Sequence, residues 1–332
     1  MVLLATTGDA LTKISEDDDG WSSARLVDGV GATAVAIDPR DPNRIFVGST
    51  DRGLWRSTDG GASFDGARLP ADGVFSVAVG PIDGAVYAGC EPSMLFRSRD
   101  GGESWDELSS LREIPSAPTW SFPPRPWTSH VRWIAPSPHD ADRLLVGIEL
   151  GGVMLSEDGG ETWKDHRPGA QPDCHALAWH PAAEGRAYEA AGGGAAWSSD
   201  GGETWRGADE GRELHYAWAL AVDPIDPDRW YLSAAPGPMQ AHGGGRADAH
   251  LYRWQGEGPW ERLTGGLPDP LDSMPYALAA TENSLYAGLS DGRVYRSSDR
   301  GDSWEPLAID CDGPDRVVAL AAVPDRPIPG IG

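Results

Sequence analysis

Glu91, Glu149, His130, His175 and Arg132 are the side chains of this chain best placed to do chemistry. The two glutamates stand at matching places in successive sequence repeats, and so do the two histidines. Arg132 follows His130 by two residues. Paired carboxylates can act as acid and base on a glycosidic bond, and histidines can move protons near neutral pH. Imidazoles also hold zinc, copper, nickel or iron, so His130 and His175 are candidate ligands for a divalent metal. An arginine in their company suits a carboxylate or phosphate. Trp218 and Tyr276 offer faces on which a ring can stack, and His215, Tyr216 and His242 lie in the same region of sequence. Glu91, Glu149, His130 and His175 are therefore the catalytic candidates. Arg132, His215, Tyr216, Trp218, His242 and Tyr276 are the ligand-binding candidates.

The elements that position these residues come from a repeated phrase. It reads Ser57-Thr-Asp59-Gly-Gly61-Ala-Ser-Phe64, then Ser98-Arg-Asp100-Gly-Gly102-Glu-Ser-Trp105. It returns with Asp158 before Trp163, Asp200 before Trp205 and Asp299 before Trp304. A short aspartate can fold back onto turn amides, and glycine supplies positive φ. Degenerate copies end at Trp21 and Trp260, and most aromatic-to-aromatic intervals are 41–44 residues, the size of a four-stranded propeller blade. Between the turns run apolar strands closed by proline, such as Ala34-Val-Ala-Ile-Asp-Pro39 and Ala221-Val-Asp-Pro224. Residues 2–26 supply three strands of a blade, and the missing inner strand appears at 317–324. The expected fold is all-β: a single seven-bladed β-propeller over 1–324, closed by pairing of the C-terminal strand with the N-terminal blade. A short Pro/Gly tail, 325–332, follows.

The S-x-D-x-G-x-x-W pattern resembles the Asp-box, or BNR repeat, of sialidases, xyloglucanases, sortilin-like receptors and photosystem assembly factors. The resemblance covers nearly the whole chain. It implies that Asp59, Asp100, Asp158, Asp200 and Asp299 are structural and that the active site lies elsewhere. The early Arg-Ile-Pro motif and arginine triad of sialidases are missing. Two-domain xyloglucanases are much longer, and the assembly factors are secreted or lumenal and carry a basic patch. Virginiamycin-lyase-like propellers show that a histidine-bearing channel can support elimination, by analogy of fold alone.

Alternating strand direction puts the Asp-boxes on one face and the B–C and D–A connections on the other. Two intervals run to 58 and 55 residues, with the extra chain at about 109–129 and 235–249, both on the face away from the boxes. Long loops on a rigid scaffold commonly carry function. The first, with Pro118, Trp120, Phe122, Pro123, Pro124, Pro126 and Trp127, reads as an ordered lid. Aligning the inner strands on their closing prolines gives a ring at the channel entry: Val318, Thr33, Phe75, His130, His175, Trp218 and Tyr276. The five candidates named first are expected to converge on one solvent-filled pocket at the channel mouth. His139, His166 and His180 fall outside this ring. The runs Gly192–Gly194 and Gly243–Gly245 lack the strand–loop–helix setting of a phosphate cradle.

A formal charge of −24, with only Lys13 and Lys164 against 25 arginines, opposes nucleic acid or an anionic membrane as partner. A GC-rich or salt-adapted genome accounts for that bias. Cys90, Cys174 and Cys311 form neither a disulfide framework nor a C-x-x-C site. The opening Met-Val-Leu-Leu-Ala lacks the charged and apolar segments of a secretory signal, so the expected location is cytoplasmic. Three functions fit: a hydrolase-like or lyase-like enzyme on a small polar, carbohydrate-like molecule, a non-catalytic assembly scaffold, or a metal-binding propeller. A monomer is expected.

Overall fold

A computed structural model describes residues 1–18, 20–121, 128–256, 258–309 and 313–324. The tail, Cys311 and the 122–127 stretch of the first insertion, with Phe122, Pro123, Pro124, Pro126 and Trp127, lie outside them. Seven small antiparallel sheets form a ring, each from consecutive strands except the first. That one pairs Ala319–Ala322 with Val2–Thr6, in the register Leu3↔Ala322 to Thr6↔Ala319. The buried Thr6 hydroxyl accepts the Ala319 amide at 2.9 Å, so the two ends of the chain share one blade. Closure completes the first blade, so that only the short outer strands of the blades keep an open edge.

Blade 4 shows how one unit is built. Its inner strand is Val131–Pro136, followed by Leu144–Ile148 and Gly152–Ser156, with a single bridge from Leu155 to Lys164 at the outer edge. Its second strand is wholly buried, Leu-Leu-Val-Gly-Ile, because neighbouring blades pack on both of its faces. Gly147 is required there: a methyl in its place would sit 2.4 Å from Cys174 Sγ of blade 5.

The repeated turns hold together through their serine and aspartate. Ser98 Oγ donates to Asp100 Oδ1 at 2.8 Å and accepts the Gly102 amide at 2.7 Å. Asp100 in turn accepts the Ser104 amide at 2.9 Å. Gly101 and Gly102 take φ of +74° and +88°, as the turn demands. Arginines then clasp four of the five turns from the preceding blade. Arg97 donates to the Gly159 carbonyl and to Glu161, Arg56 to Gly101, Arg143 to Gly201 and Arg253 to Arg300. A planar guanidinium can bond a carbonyl and a carboxylate together, which lysine does less well. Blade seams are thus one structural use of the arginine bias.

Candidate functional site

The channel opens on the face away from the repeated turns into a cavity of about 360 Å³. Thr33, Phe75, Arg132, Trp218, Tyr276 and Val318 contribute to its wall. Most of the expected ring is present, but blade 4 supplies Arg132 and not His130. The reason lies in the strand end. Blade 4 carries two prolines, Pro136 and Pro138, and the count back to His130 starts from Pro136. The Ser137 amide bonds Arg143 O, as His180 bonds Arg186 O before Pro181 and Asp223 bonds Arg229 O before Pro224. Pro138 is therefore the equivalent residue, and six residues before it stands Arg132. A register shift between Val131 and Trp133 places Arg132 at the irregularity seen at Phe75, His175 and Tyr276 in their own strands.

His130 and His175 do not line the cavity. They are 2% and 1% exposed and sit behind its wall, at blade seams. His130 stacks on Phe75 with centroids 4.0 Å apart, and its Nε2 lies 2.6 Å from Glu149. Its Nδ1 is 3.8 Å from Glu91 Oε2. The imidazole thus lies between the two glutamates and occupies the space that a substrate oxygen would need. Burial opposes the charge on Glu149. The His130 hydrogen bond and the charge of Arg132 outweigh it and hold the carboxyl below its usual range. An ionised, anchored Glu149 is a poor proton donor at neutral pH. Glu91 accepts the Thr128 hydroxyl at 2.6 Å. The expected convergence of all five side chains on one solvent-filled pocket is therefore corrected: Arg132 reaches the cavity, and the other four form a polar layer behind it.

His175 is covered by aromatic rings, Trp218 at 4.6 Å and Tyr216 at 5.0 Å. Its Nδ1 donates to the Ala217 carbonyl at 2.6 Å. Arg132 lies with its guanidinium carbon 4.5 Å over Trp218, and Arg316 lies 5.4 Å over Tyr276. Such stacking orients a guanidinium without using its hydrogen bonds. Arg316 was not among the residues singled out from the sequence, although it stands two residues before Val318 of the ring.

The second insertion forms a short helix, Pro238–His242, which brings His242 over Trp218 at 4.5 Å. Its hydrogen bonds fix the tautomer. Tyr276 donates its hydroxyl proton to the Ala241 carbonyl at 2.7 Å, so it accepts from His242 Nδ1 at 3.0 Å. His242 Nε2 is then left to accept from Tyr216 at 2.9 Å. Burial, helped by the positive charges of Arg132 and Arg316, lowers the His242 pKa to about 4, while Glu149 opposes. Burial and the charges of Glu149 and Asp173 push the Tyr216 phenol up. The arrangement is a neutral imidazole flanked by two phenols. His215 is exposed, and its side chain joins none of these contacts among the described residues. The first insertion folds as two short 3₁₀ turns, Ser109–Glu113 and Ala117–Thr119, with Leu111 and Trp120 buried beneath.

No family model matches the chain. It is 25% identical over 171 residues to an oligoxyloglucan-reducing end-specific xyloglucanase of Emericella nidulans, covering 45% of this chain and 20% of the enzyme. It is 23% identical over 234 residues to a probable enzyme of the same description from Neosartorya fischeri, covering 45% and 29%. The aligned part therefore takes in less than a third of either relative. Among solved structures, an ancestral GH74 enzyme superposes with a TM-score of 0.65 at 18% identity, over 82% of this chain and 38% of that one. A GH74 xyloglucanase from Xanthomonas campestris gives 0.62 at 19%, over 83% and 45%. YCF48 bound to D1 peptide gives 0.57 at 19%, over 85% and 83%. These likenesses establish a seven-bladed propeller with glycosyl-hydrolase propellers among its neighbours. No helix among the described residues is long and apolar enough to cross a membrane.

Proposed function

We propose that the channel mouth binds a small sugar-like molecule bearing a carboxylate or phosphate, and that the protein is an enzyme acting on it. The observation that carries this reading is the pair Arg132 and Arg316, stacked over Trp218 and Tyr276, whose rings lie 5.9 Å apart on one cavity wall. Two guanidiniums beside two aromatic faces suit an anionic ring, since each arginine can bond an anion bidentately. The cavity is within the size range of small-molecule sites. For the chemistry, Tyr216 and His242 are the better-placed proton-transfer groups, because His130 fills the gap between Glu91 and Glu149. That favours a lyase-like elimination over two-carboxylate hydrolysis: arginine would neutralise the ligand's carboxylate and acidify the adjacent C–H.

The test is calorimetric titration with D-glucuronate and D-glucose. Glucuronate is expected to bind and glucose not, and Arg132→Ala should weaken glucuronate at least about tenfold, as loss of a charge-assisted contact implies. Equal binding of both sugars, or an unchanged Arg132→Ala affinity, overturns the reading. Incubation with oligouronides, followed by ultraviolet absorbance of an unsaturated product, tests the elimination.

A second reading is favoured by length. The peptide-bound YCF48 structure is matched over 83% of its chain, against 38% for the ancestral GH74 enzyme. On that reading the arginines hold a peptide carboxylate and the protein is a scaffold. A C-terminal peptide that outcompetes glucuronate would favour it.

A further inference from the structure

Behind the cavity wall, Glu149 of blade 4 meets Asp173 and His175 of blade 5. We propose that these three side chains form a site for one divalent transition-metal ion of the zinc–manganese class, independent of the ligand reading above. One ligand atom from each lies within 4.8 Å of the other two. His175 is 1% exposed, and its Nδ1 carries the hydrogen donated to the Ala217 carbonyl. In the neutral ring Nε2 is therefore a lone pair. That nitrogen is buried, has no hydrogen-bond partner, and stands 3.5 Å from Asp173 Oδ2. A lone pair facing two carboxylates out of contact with water calls for a positive centre between them. A proton on Nε2 would supply one charge, and a divalent ion would satisfy all three groups together.

The surroundings hold the ligands as metal sites require. His130 Nε2 bonds Glu149 Oε2 at 2.6 Å, with Arg132 Nε 3.7 Å away. The Leu150 amide bonds Asp173 Oδ1 at 3.3 Å, which leaves Oδ2 toward His175. Gly192 keeps the space open: a methyl there would lie 2.0 Å from Asp173 Oδ2 and 3.3 Å from His175 Cε1. Asp173 keeps 22% of its side chain exposed, so an ion has a way in. One imidazole and two carboxylates suit zinc or manganese better than the all-oxygen shells of calcium or magnesium. Glu149 and Asp173 come from different blades, so the ion would pin the seam between blades 4 and 5.

The sequence points toward His130 and His175 as the metal pair, and the structure reassigns that role. His130 braces a ligand, and Asp173 replaces it. Asp173 stands eight residues before Pro181, the place that His130 holds before Pro138.

The experiment is elemental analysis of the full chain purified without added metal, followed by calorimetric titration of the chelator-treated protein with Zn²⁺ and with Mn²⁺. One equivalent is expected for at least one ion, with a rise in melting temperature on binding. Asp173→Asn, a near-isosteric change at a partly exposed position, should weaken binding by about tenfold or more and abolish that rise. Its melting temperature in chelator should match wild type, which separates lost ligation from misfolding. Gly192→Ala should also weaken binding, through steric blockage alone. Absence of binding at millimolar metal, or unchanged affinity in Asp173→Asn, overturns the site. In that case an Nε2-bound proton on His175, visible by nitrogen-15 NMR in chelator, identifies imidazolium as the neutralising charge. The metal titration contains no sugar acid, so failure of the sugar-acid reading does not decide this one.

Discussion

Replacing Glu189 by glutamine should flatten the dependence of stability on pH. Glu189 lies fully buried on the second strand of blade 5, where its Oε2 accepts the Gln171 amide at 2.9 Å. Burial, helped by the negative charge of Asp173, raises its pKa from 4.5 to about 8 against the hydrogen bonds of Gln171 and Cys174. The folded protein thus keeps a proton that the unfolded chain releases above pH 4.5. The associated stability is full below that pH and is lost as pH rises through about 8. Between pH 5.5 and 7.5 the loss approaches about 2.7 kcal/mol, at roughly 1.36 kcal/mol per pH unit. Glutamine retains the oxygen that accepts Gln171 and does not titrate. Any cost of burying its NH₂ is the same at every pH, so the difference in slope isolates the carboxyl. Urea unfolding of both proteins in chelator, at intervals across this range, reads that slope. Wild type should lose stability relative to Glu189→Gln as pH rises. Parallel profiles would refute the assignment of a protonated Glu189.

Deleting 316–332 removes the strand that pairs with Val2–Thr6 and should give aggregation or a large fall in melting temperature; a truncated protein melting like wild type would refute closure. Ser198→Ala strips the buried Gly202 amide of its acceptor at 3.0 Å and should cost about 1–3 kcal/mol in urea unfolding. It should leave glucuronate affinity unchanged, because the turns lie on the face opposite the cavity. His180 donates from Nε2 to Asp223 O and accepts the Ala182 and Ala183 amides at Nδ1, and burial lowers its pKa. Its contribution is present above the unfolded value of 6.5 and is lost as pH falls through the lower folded value. His180→Gln should therefore destabilise the protein more at pH 7 than at pH 5 by circular-dichroism melting.

Sequence periodicity carried the fold because each blade repeats the same physical solution. The serine–aspartate turn, the proline-stiffened corner and the buried second strand leave identical marks at about 42-residue intervals. Ring closure was legible for a related reason: 317–324 has the composition of an inner strand and no partner next to it in sequence.

The site was less legible because its geometry depends on irregularities within the repeat. Pro136 and Pro138 compete as the strand-end marker, and a two-residue slip moves the channel position from Arg132 to His130. That slip converts a cavity-lining cation into a buried brace, and it disguises Asp173 as an ordinary loop acid. The correct register could have been read by requiring the proline to precede the turn ending at Arg143, Arg186 and Arg229, an arginine each corner places six residues after the pre-proline position. His242 illustrates the opposite case: its insertion marked it, but only the folded helix shows it held between Tyr216 and Tyr276. Periodicity locates a residue within its blade. Contacts across the seams, such as His175 with Ala217 or Arg132 with Trp218, join residues one and two blade-lengths of chain apart and arise only when the ring is assembled.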